Sequence, residues 1–433
     1  MKTLTLLLLL LTSLSVNAEQ SPGDIRNAPA RVSLSEVTRT VLDRNPAIQQ
    51  ALRKWAAAKE RVTQQAAWDD LKVSGNSRAA RFVDVAPNSF TDQIVSVEQI
   101  IPITGKNLTR ARIATADAVV AFEQARREQL DVVAKARASY FRLVNAYAQL
   151  ELNRRNLTSL RQLAEVSRSR YETGKASAAD ALASELEASK LLESEQDTIR
   201  NISAEQSQLN VLMNRDAFAP LGQPEDASIG PAELSMGETR ARMIGNRPEI
   251  KAAQAKIDIE KSRLDLARRN WIPDPAVTVQ AQRYNDARQA ASEIDAGVSF
   301  TVPWVNPGKY SAAIREAKEN LAAEEQGFDR TNAESLGALR DALQKVHTAK
   351  HHVDLFRDKL APQARQAFEA NQFSYESGKA TFLDWITAQR NLRDVEAMAQ
   401  QHVADYRVAL AELEAIVGAD LKIFPSTKSK EAK

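Results

Sequence analysis

No cysteine occurs in the 433 residues, which excludes disulfide staples, zinc-thiolate centres and a lipid anchor on an N-terminal cysteine. Glycine and proline are scarce, at 14 and 15 residues. Little therefore interrupts a chain rich in Ala, Glu, Gln, Leu, Arg and Lys, the composition of long helices. Neither charge sign dominates, with 58 Lys plus Arg against 56 Asp plus Glu mixed along the chain, which argues against nucleic acid as a partner. Beyond the first residues no stretch supplies the ~20 consecutive apolar residues of a membrane-spanning helix. The apolar run at 4–14 follows Lys2 and precedes Val16, Asn17 and Ala18, the pattern of an export signal cut after Ala18. There is no phosphate-binding loop, no Gly-x-Ser-x-Gly elbow and no nucleophile-base pair, so neither catalysis nor a cofactor is expected.

What the chain does contain is a long internal repeat. RNPAI at 44–48 returns as NRPEI at 246–250, each opening a helical run toward a tryptophan, Trp68 or Trp271. IPITGK at 101–106 returns as VPWVNPGK at 302–309, and RYETGKASAAD at 170–180 returns as SYESGKATFLD at 374–384. LNVLMNRD at 209–216 returns as LEAIVGAD at 413–420, at the shift 375 − 171 = 204 that relates the two tyrosines. Four landmarks in one order predict an export signal at 1–18, an N-terminal segment at 19–34, a first repeat at 35–218, a Pro- and Gly-bearing linker at 219–236, a second repeat at 237–420 and a tail at 421–433. Each repeat is expected to run helix, β-hairpin, very long helix, tight turn, helix.

No proline falls within 106–171, and Leu143, Leu150, Leu157 and Ala164 lie seven apart, the seam of packed coiled-coil helices. Such a helix is roughly 100 Å long; its counterpart over 310–375 is interrupted only by Pro362. Helices alone would suit a periplasmic coiled-coil scaffold or a pump adaptor that never enters the membrane. The strands point elsewhere. Val277, Val279 and Ala281 alternate with Thr278, Gln280 and Gln282, and Ile294, Ala296, Val298, Phe300 and Val302 alternate with Asp295, Ser299 and Thr301. That is the pattern of a membrane barrel strand with a wet lumen, and also of a soluble hairpin with one face on a core. The first copy is less regular, with Arg78 and Arg81 inside 71–82 and only Val95 and Val97 alternating in the partner strand. Loops at 83–90 and 284–291 would join the strands. Four strands cannot close an open-lumen barrel, so a membrane reading requires several copies, and three would supply twelve strands.

The NPAI start, the P-x-x-G-K opening of the long helix and the Y-E-x-G-K-x-x-x-x-D turn of both copies resemble the outer membrane efflux protein family, the TolC-like channels, over nearly all of the chain beyond residue 18. The PITGK form looks closest to the branch found with heavy-metal pumps of the cobalt-zinc-cadmium type. The resemblance implies a mainly α fold with a membrane β-barrel portion, in which tandem repeats supply long antiparallel coiled-coil helices and four strands per chain. It implies a homotrimer whose twelve-stranded barrel sits in outer-membrane lipid and continues as a periplasmic α-barrel. Such a duct conducts substrates passively, joined through a periplasmic adaptor to an inner-membrane pump of the RND type. An adaptor itself would carry a lipoyl-like β domain, which is not evident here, and a diffusion porin would spend its length on strands.

In the same family the periplasmic tip lies at the two turns, here Tyr171, Gly174, Lys175 and Asp180, and Tyr375, Gly378, Lys379 and Asp384. Both glycines suit a left-handed helix cap. Tyr171 and Tyr375 either donate inter-helix hydrogen bonds that hold a closed state or pack as buried side chains. Asp384 matches an aspartate that lines the constriction in TolC-like members, where three copies would form a cation-favouring carboxylate ring. Asp180 is its counterpart, with a helix N-cap as the alternative role. Two positions depart from the family pattern: Ala380 stands where a gate arginine is common, and Thr387 where a second ring aspartate is, leaving Lys175 and Lys379 as stand-ins. Elsewhere, His347 and His351 are an i, i+4 pair with His352 beside them. Two ligands without an acidic partner favour a solvated helix face over a metal site.

Overall fold

The computed structural model describes residues 31–77, 92–174, 177–227, 235–284, 291–419 and 421. The expected export signal, most of the 19–34 segment, most of both hairpin loops with Arg78 and Arg81, and the tail after residue 421 lie outside the described residues. The first repeat comprises α1 (Leu34–Arg44), α2 (Pro46–Ala66), β1 (Lys72–Ser77), β2 (Asp92–Ile100), α3 (Lys106–Glu172) and α4 (Ala178–Leu212). The second comprises α5 (Met236–Asn246), α6 (Pro248–Arg269), β3 (Ala276–Tyr284), β4 (Glu293–Ser299), α7 (Pro307–Leu355), α8 (Ala361–Glu376) and α9 (Phe382–Val417).

Each hairpin is preceded by two helices where the sequence suggests one. The cause is the proline of the opening motif, which drives the residue before it out of helical geometry. Asn45 and Arg247 accordingly have ψ of 126° and 123°. Asn45 turns the break into a cap, accepting hydrogen bonds from the amides of Ala47 and Ile48 and donating to the Leu212 carbonyl at 2.8 Å. Arg247 makes no such cap. The helical runs stop at Ala66 and Arg269, short of the two tryptophans.

Helix α3 is unbroken for 67 residues, about 100 Å at 1.5 Å per residue. Leu143, Leu150 and Leu157 of the expected seam are buried, and Leu160 and Leu163 extend it. The second copy is divided into α7 and α8 by a π-helical turn at Phe356–Leu360. The reason is countable. From Lys106 to Tyr171 is 171 − 106 = 65 steps, and from Lys309 to Tyr375 is 375 − 309 = 66. A π turn closes over five residues instead of four, so it absorbs one extra residue, and Pro362 just beyond it lacks the amide a continuous α-helix would use.

Two apolar cores lie along the bundle. One joins Tyr140, Phe141 and Leu143 of α3 to Leu209 of α4 and Leu410 and Leu413 of α9. The other joins Leu157, Leu160 and Leu163 to Leu191, Tyr375, Phe382, Trp385 and Ile386 beside the helix turns. At the first, the Tyr140 hydroxyl donates toward the carbonyls of Val32 and Glu225, at 3.0 and 2.7 Å, pinning the N-terminal stretch to the linker where Val32 bridges Pro224.

The strands form one antiparallel sheet in the order β1-β2-β3-β4. Its register sorts the residues by face. Val73, Val97, Val279 and Ala296 form one row, Gly75, Val95, Ala281 and Ile294 a second, and Val277 faces Val298. The other face carries Lys72, Glu98 and Thr278, then Ser74, Ser96, Gln280 and Asp295, with Ser74 and Ser96 hydroxyls 2.7 Å apart and a 3.1 Å Lys72–Glu98 ion pair. The weak first copy therefore falls into line once paired. On the apolar face Val73, Val95, Val279, Ile294 and Val298 are exposed, so among the described residues no core covers it. Strand β4 ends at Ser299, before the expected Phe300 and Val302. Among the described residues no helix is long and apolar enough to cross a membrane.

Candidate functional site

The two turns reverse the chain by the same device. Gly174 and Gly378 have φ of +71° and +76°, the left-handed geometry in which a helix end satisfies its last carbonyls and which costs a side-chain-bearing residue. After each glycine a capping box starts the returning helix, Ser177 with Asp180 and Thr381 with Asp384. The N-caps are thus Ser177 and Thr381, and both aspartates sit three residues on as reciprocal acceptors. This corrects the expectation that Asp180 is itself the cap. The Asp384 carboxylate accepts from the Thr381 hydroxyl at 2.6 Å and the Thr381 amide at 3.0 Å. Those hydrogen bonds, the hydroxyl first, hold it below the usual carboxylate range. Asp180 has a longer 3.3 Å contact to the Ser177 amide.

The tyrosines differ. Tyr171 is 50% exposed, whereas Tyr375 is 5% exposed and packs on Trp385 at 4.9 Å and on Phe382 at 6.0 Å between ring centroids. The Tyr375 hydroxyl and the Trp385 indole N–H are buried with no hydrogen-bond partner among the described residues. Of the two roles open to Tyr375, ring packing is visible, and no inter-helix hydrogen bond from its hydroxyl is present among the described residues.

Ala380 brings no charge to the second turn, but an arginine of the other repeat reaches it. Arg170, in the last turn of α3, donates to the carbonyls of Tyr375 and Glu376 at 3.0 and 2.8 Å, and its guanidinium lies 4.6 Å from the centre of the Tyr375 ring. It supplies positive charge and two donors to the C-terminus of α8, where carbonyls lack helical partners. Lys379, expected as a stand-in, is exposed and makes no side-chain contact of this kind among the described residues; Lys175 lies outside them. The signal was present in the motif, since the residue before the tyrosine is Arg170 in one copy and Ser374 in the other, but sequence does not show which turn it reaches.

Deeper along the bundle a second tie joins the repeats. The Glu187 side chain on α4 is 2% exposed and lies 2.8 Å from Lys190 Nζ, 2.7 Å from Arg390 Nη2 and 3.7 Å from Arg393 Nη1. Burial raises its proton affinity, yet the hydrogen bonds from Lys190 and Arg390 outweigh that and hold it ionised below its ordinary range. Breaking such a group from its partners is costly because an unpaired charge stays buried. Periodicity did not single out this glutamate.

His347 and His351 are exposed, His352 faces His402 across to α9, and among the described residues no group of three or more candidate ligands could hold a metal.

A model of the family described as outer membrane efflux protein matches residues 240–419, nearly the whole second repeat. The cobalt-zinc-cadmium resistance protein CzcC of Cupriavidus metallidurans is 23% identical over 78% of this chain and 79% of its own. Nodulation protein T of Rhizobium leguminosarum is 22% identical over 88% and 82%. Among solved structures, the outer membrane protein VceC of Vibrio cholerae superposes with a TM-score of 0.75 at 16% identity, over 90% of this chain and 96% of that one. CusC does so with a TM-score of 0.78 at 15% identity, over 93% and 95%. These likenesses span both repeats and share the fold.

Proposed function

Because this chain belongs to the outer membrane efflux protein family, we propose that it is the exit duct of a tripartite efflux system, fed by an inner-membrane RND pump through a periplasmic adaptor. It is an outer-membrane channel protein and not an enzyme. One observation carries the duct reading: a sheet with apolar rows exposed on one face, polar rows on the other, and β1 and β4 as its outer strands. An uncovered apolar face is costly in water and stable in lipid. Trp68 and Trp304, exposed where the helices meet the sheet, suit a membrane interface. Three copies make twelve strands and close the edges.

In this duct the turns form the periplasmic tip, and the ties from Arg170 and Glu187 hold the two coiled-coil pairs together in the resting state. Three Asp384 carboxylates converge there as a cation-favouring ring. A passive tunnel takes what its pump delivers, so the likeness to the cobalt-zinc-cadmium resistance protein CzcC makes divalent metals the first cargo to try. The decisive experiment reconstitutes detergent-extracted protein in planar bilayers. Trimeric particles giving discrete conductance steps are expected; a water-soluble monomer without conductance overturns the duct and favours the periplasmic scaffold. Deleting the gene and comparing sensitivity to divalent metals, dyes and antibiotics then tests the cargo.

A further inference from the structure

The π turn has no counterpart in the first repeat, and three rings cluster beside it. His352, in the last turn of α7, faces His402 of α9 with ring centroids 4.9 Å apart. Phe356, the first residue of the π turn, meets the His402 ring edge-on at 4.6 Å. Both imidazoles are half-buried. Two imidazolium charges at such a separation, partly screened from water, repel, whereas two neutral rings pack.

The surrounding charges do not cancel that repulsion evenly. On α7 and the π turn, Asp354 is taken by Lys350 and Arg357, and Asp358 by Arg357; His351 is a ring neighbour of His352 at 6.3 Å. On α9, Asp405 lies 3.9 Å from His402 Nδ1 and also accepts from Gln401 at 2.7 Å, while Tyr406 feels Lys350 and Asp354. Glu396 of α9 is bound by Arg365 of α8 at 2.6 Å. From α3, Glu151 and Arg155 line the adjacent groove. Burial first, and His352 second, hold the His402 imidazole below its ordinary range, against a smaller opposing pull from Asp405.

We propose that the His352–His402–Phe356 cluster is a proton-operated catch on the π turn, clamping residues 356–360 to α9 while His402 is neutral and releasing α8 to bend when His402 takes a proton. The first repeat supplies the contrast. Its equivalent positions, 352 − 203 = 149 and 402 − 204 = 198, are Gln149 and Thr198, which do not titrate, and α3 there is unbroken. The sign follows from linkage: folding lowers the proton affinity of His402, so the catch is whole above about pH 6.5 and weakens as pH falls through and below that value. This holds whether or not the chain is a duct, and in a duct it would make the bend of α8 answer to periplasmic acidity.

The test is hydrogen–deuterium exchange on the full-length protein in detergent micelles at pH 7.5 and 5.5, corrected for the intrinsic pH dependence of exchange. Protection over 353–365 should fall by about threefold or more on acidification, while 146–160 of α3 holds steady. His402→Gln should abolish that fall, and His352→Gln, at the other ring, should do the same should the first variant fold poorly. The combined change His347→Gln and His351→Gln should leave it intact. An equal fall in wild type and both catch variants, or no fall in wild type, overturns the catch.

Discussion

Tyr171 and Tyr375 hold the same place in their repeats, yet the first lies half in solvent and the second is buried under aromatic rings. The cause is a short stretch of side chains. Where the second copy has Phe382, Trp385 and Ile386, the first has Ala178, Ala181 and Leu182, and three large apolar groups become two methyls and an exposed leucine. Backbone reversal is common to both turns, because the glycine and capping box are common to both. Packing is not. The second turn is therefore a fixed node to which Arg170 of the first repeat is tied, and the first turn is a polar reversal on the surface.

The largest expected effect sharpens that contrast. Trp385→Ala removes a buried aromatic from the second core and should cost about 3–5 kcal/mol of local stability, measured as lost amide protection over 371–390. The matching truncation in the first turn, Leu182→Ala, acts on an exposed side chain and should stay within about 0.5 kcal/mol. Comparable losses at both turns would break the comparison. Next comes the tie between them: Arg170→Ala removes two charge-assisted hydrogen bonds and a ring contact, for about 2 kcal/mol. In bilayers it should raise the resting open fraction. Arg170→Lys should not restore closure, because an ammonium is a point charge without the planar fork that reaches two carbonyls.

Much of this was legible in the sequence. The doubled unit, the α3 limits and the apolar alternation of β3 and β4 follow from periodicity, because a helix or a half-buried strand repeats its face every few residues. The contrast between Phe382, Trp385 and Ile386 and the alanines of the first copy was also legible in the aligned turns. The π turn was countable as one extra residue, but its position is set by where Pro362 and the facing α9 tolerate it. Arg170, Glu187 and the His352–His402 contact were not legible, since each joins residues about 50 to 206 positions apart and depends on how two repeats pack. The paired helices before each hairpin could have been foreseen from Pro46 and Pro248.

Smaller effects should be equal at the two turns, because the backbone demand is equal. Gly174→Ala and Gly378→Ala each force a side chain into left-handed geometry, at about 1 kcal/mol, and an added Cβ meets nothing within 4 Å at either place. Gly418, with φ of +72°, is the instructive third case, since its Cβ would lie 3.0 Å from Arg247 Cα and 3.1 Å from the Asn246 carbonyl. Gly418→Ala should therefore unfold the α9 end at lower denaturant than either turn variant. A marked difference between the two turn variants in a denaturant titration would mean that the closed tip, and not the glycine conformation, sets the cost.

The smallest expected change in stability separates cap from pore. Asp384 is tied to Thr381, and that bonding holds it below the usual carboxylate range, so its cap contribution is present above about pH 4 and is lost as pH falls through the folded value. At neutral pH the group is both a cap acceptor and a full negative charge. Asp384→Asn keeps an oxygen for the Thr381 amide and removes the charge, which Asp384→Ala does not do cleanly. With Asp384→Asn, amide protection at the start of α9 should change little, while cation preference and block by trivalent cations in bilayer recordings should both decline. Asp180→Asn, on the looser box of the first turn, should leave conductance nearly as it was. If Asp384→Asn leaves block and selectivity unchanged, the carboxylate serves only to start a helix, and at this position the two turns are alike after all.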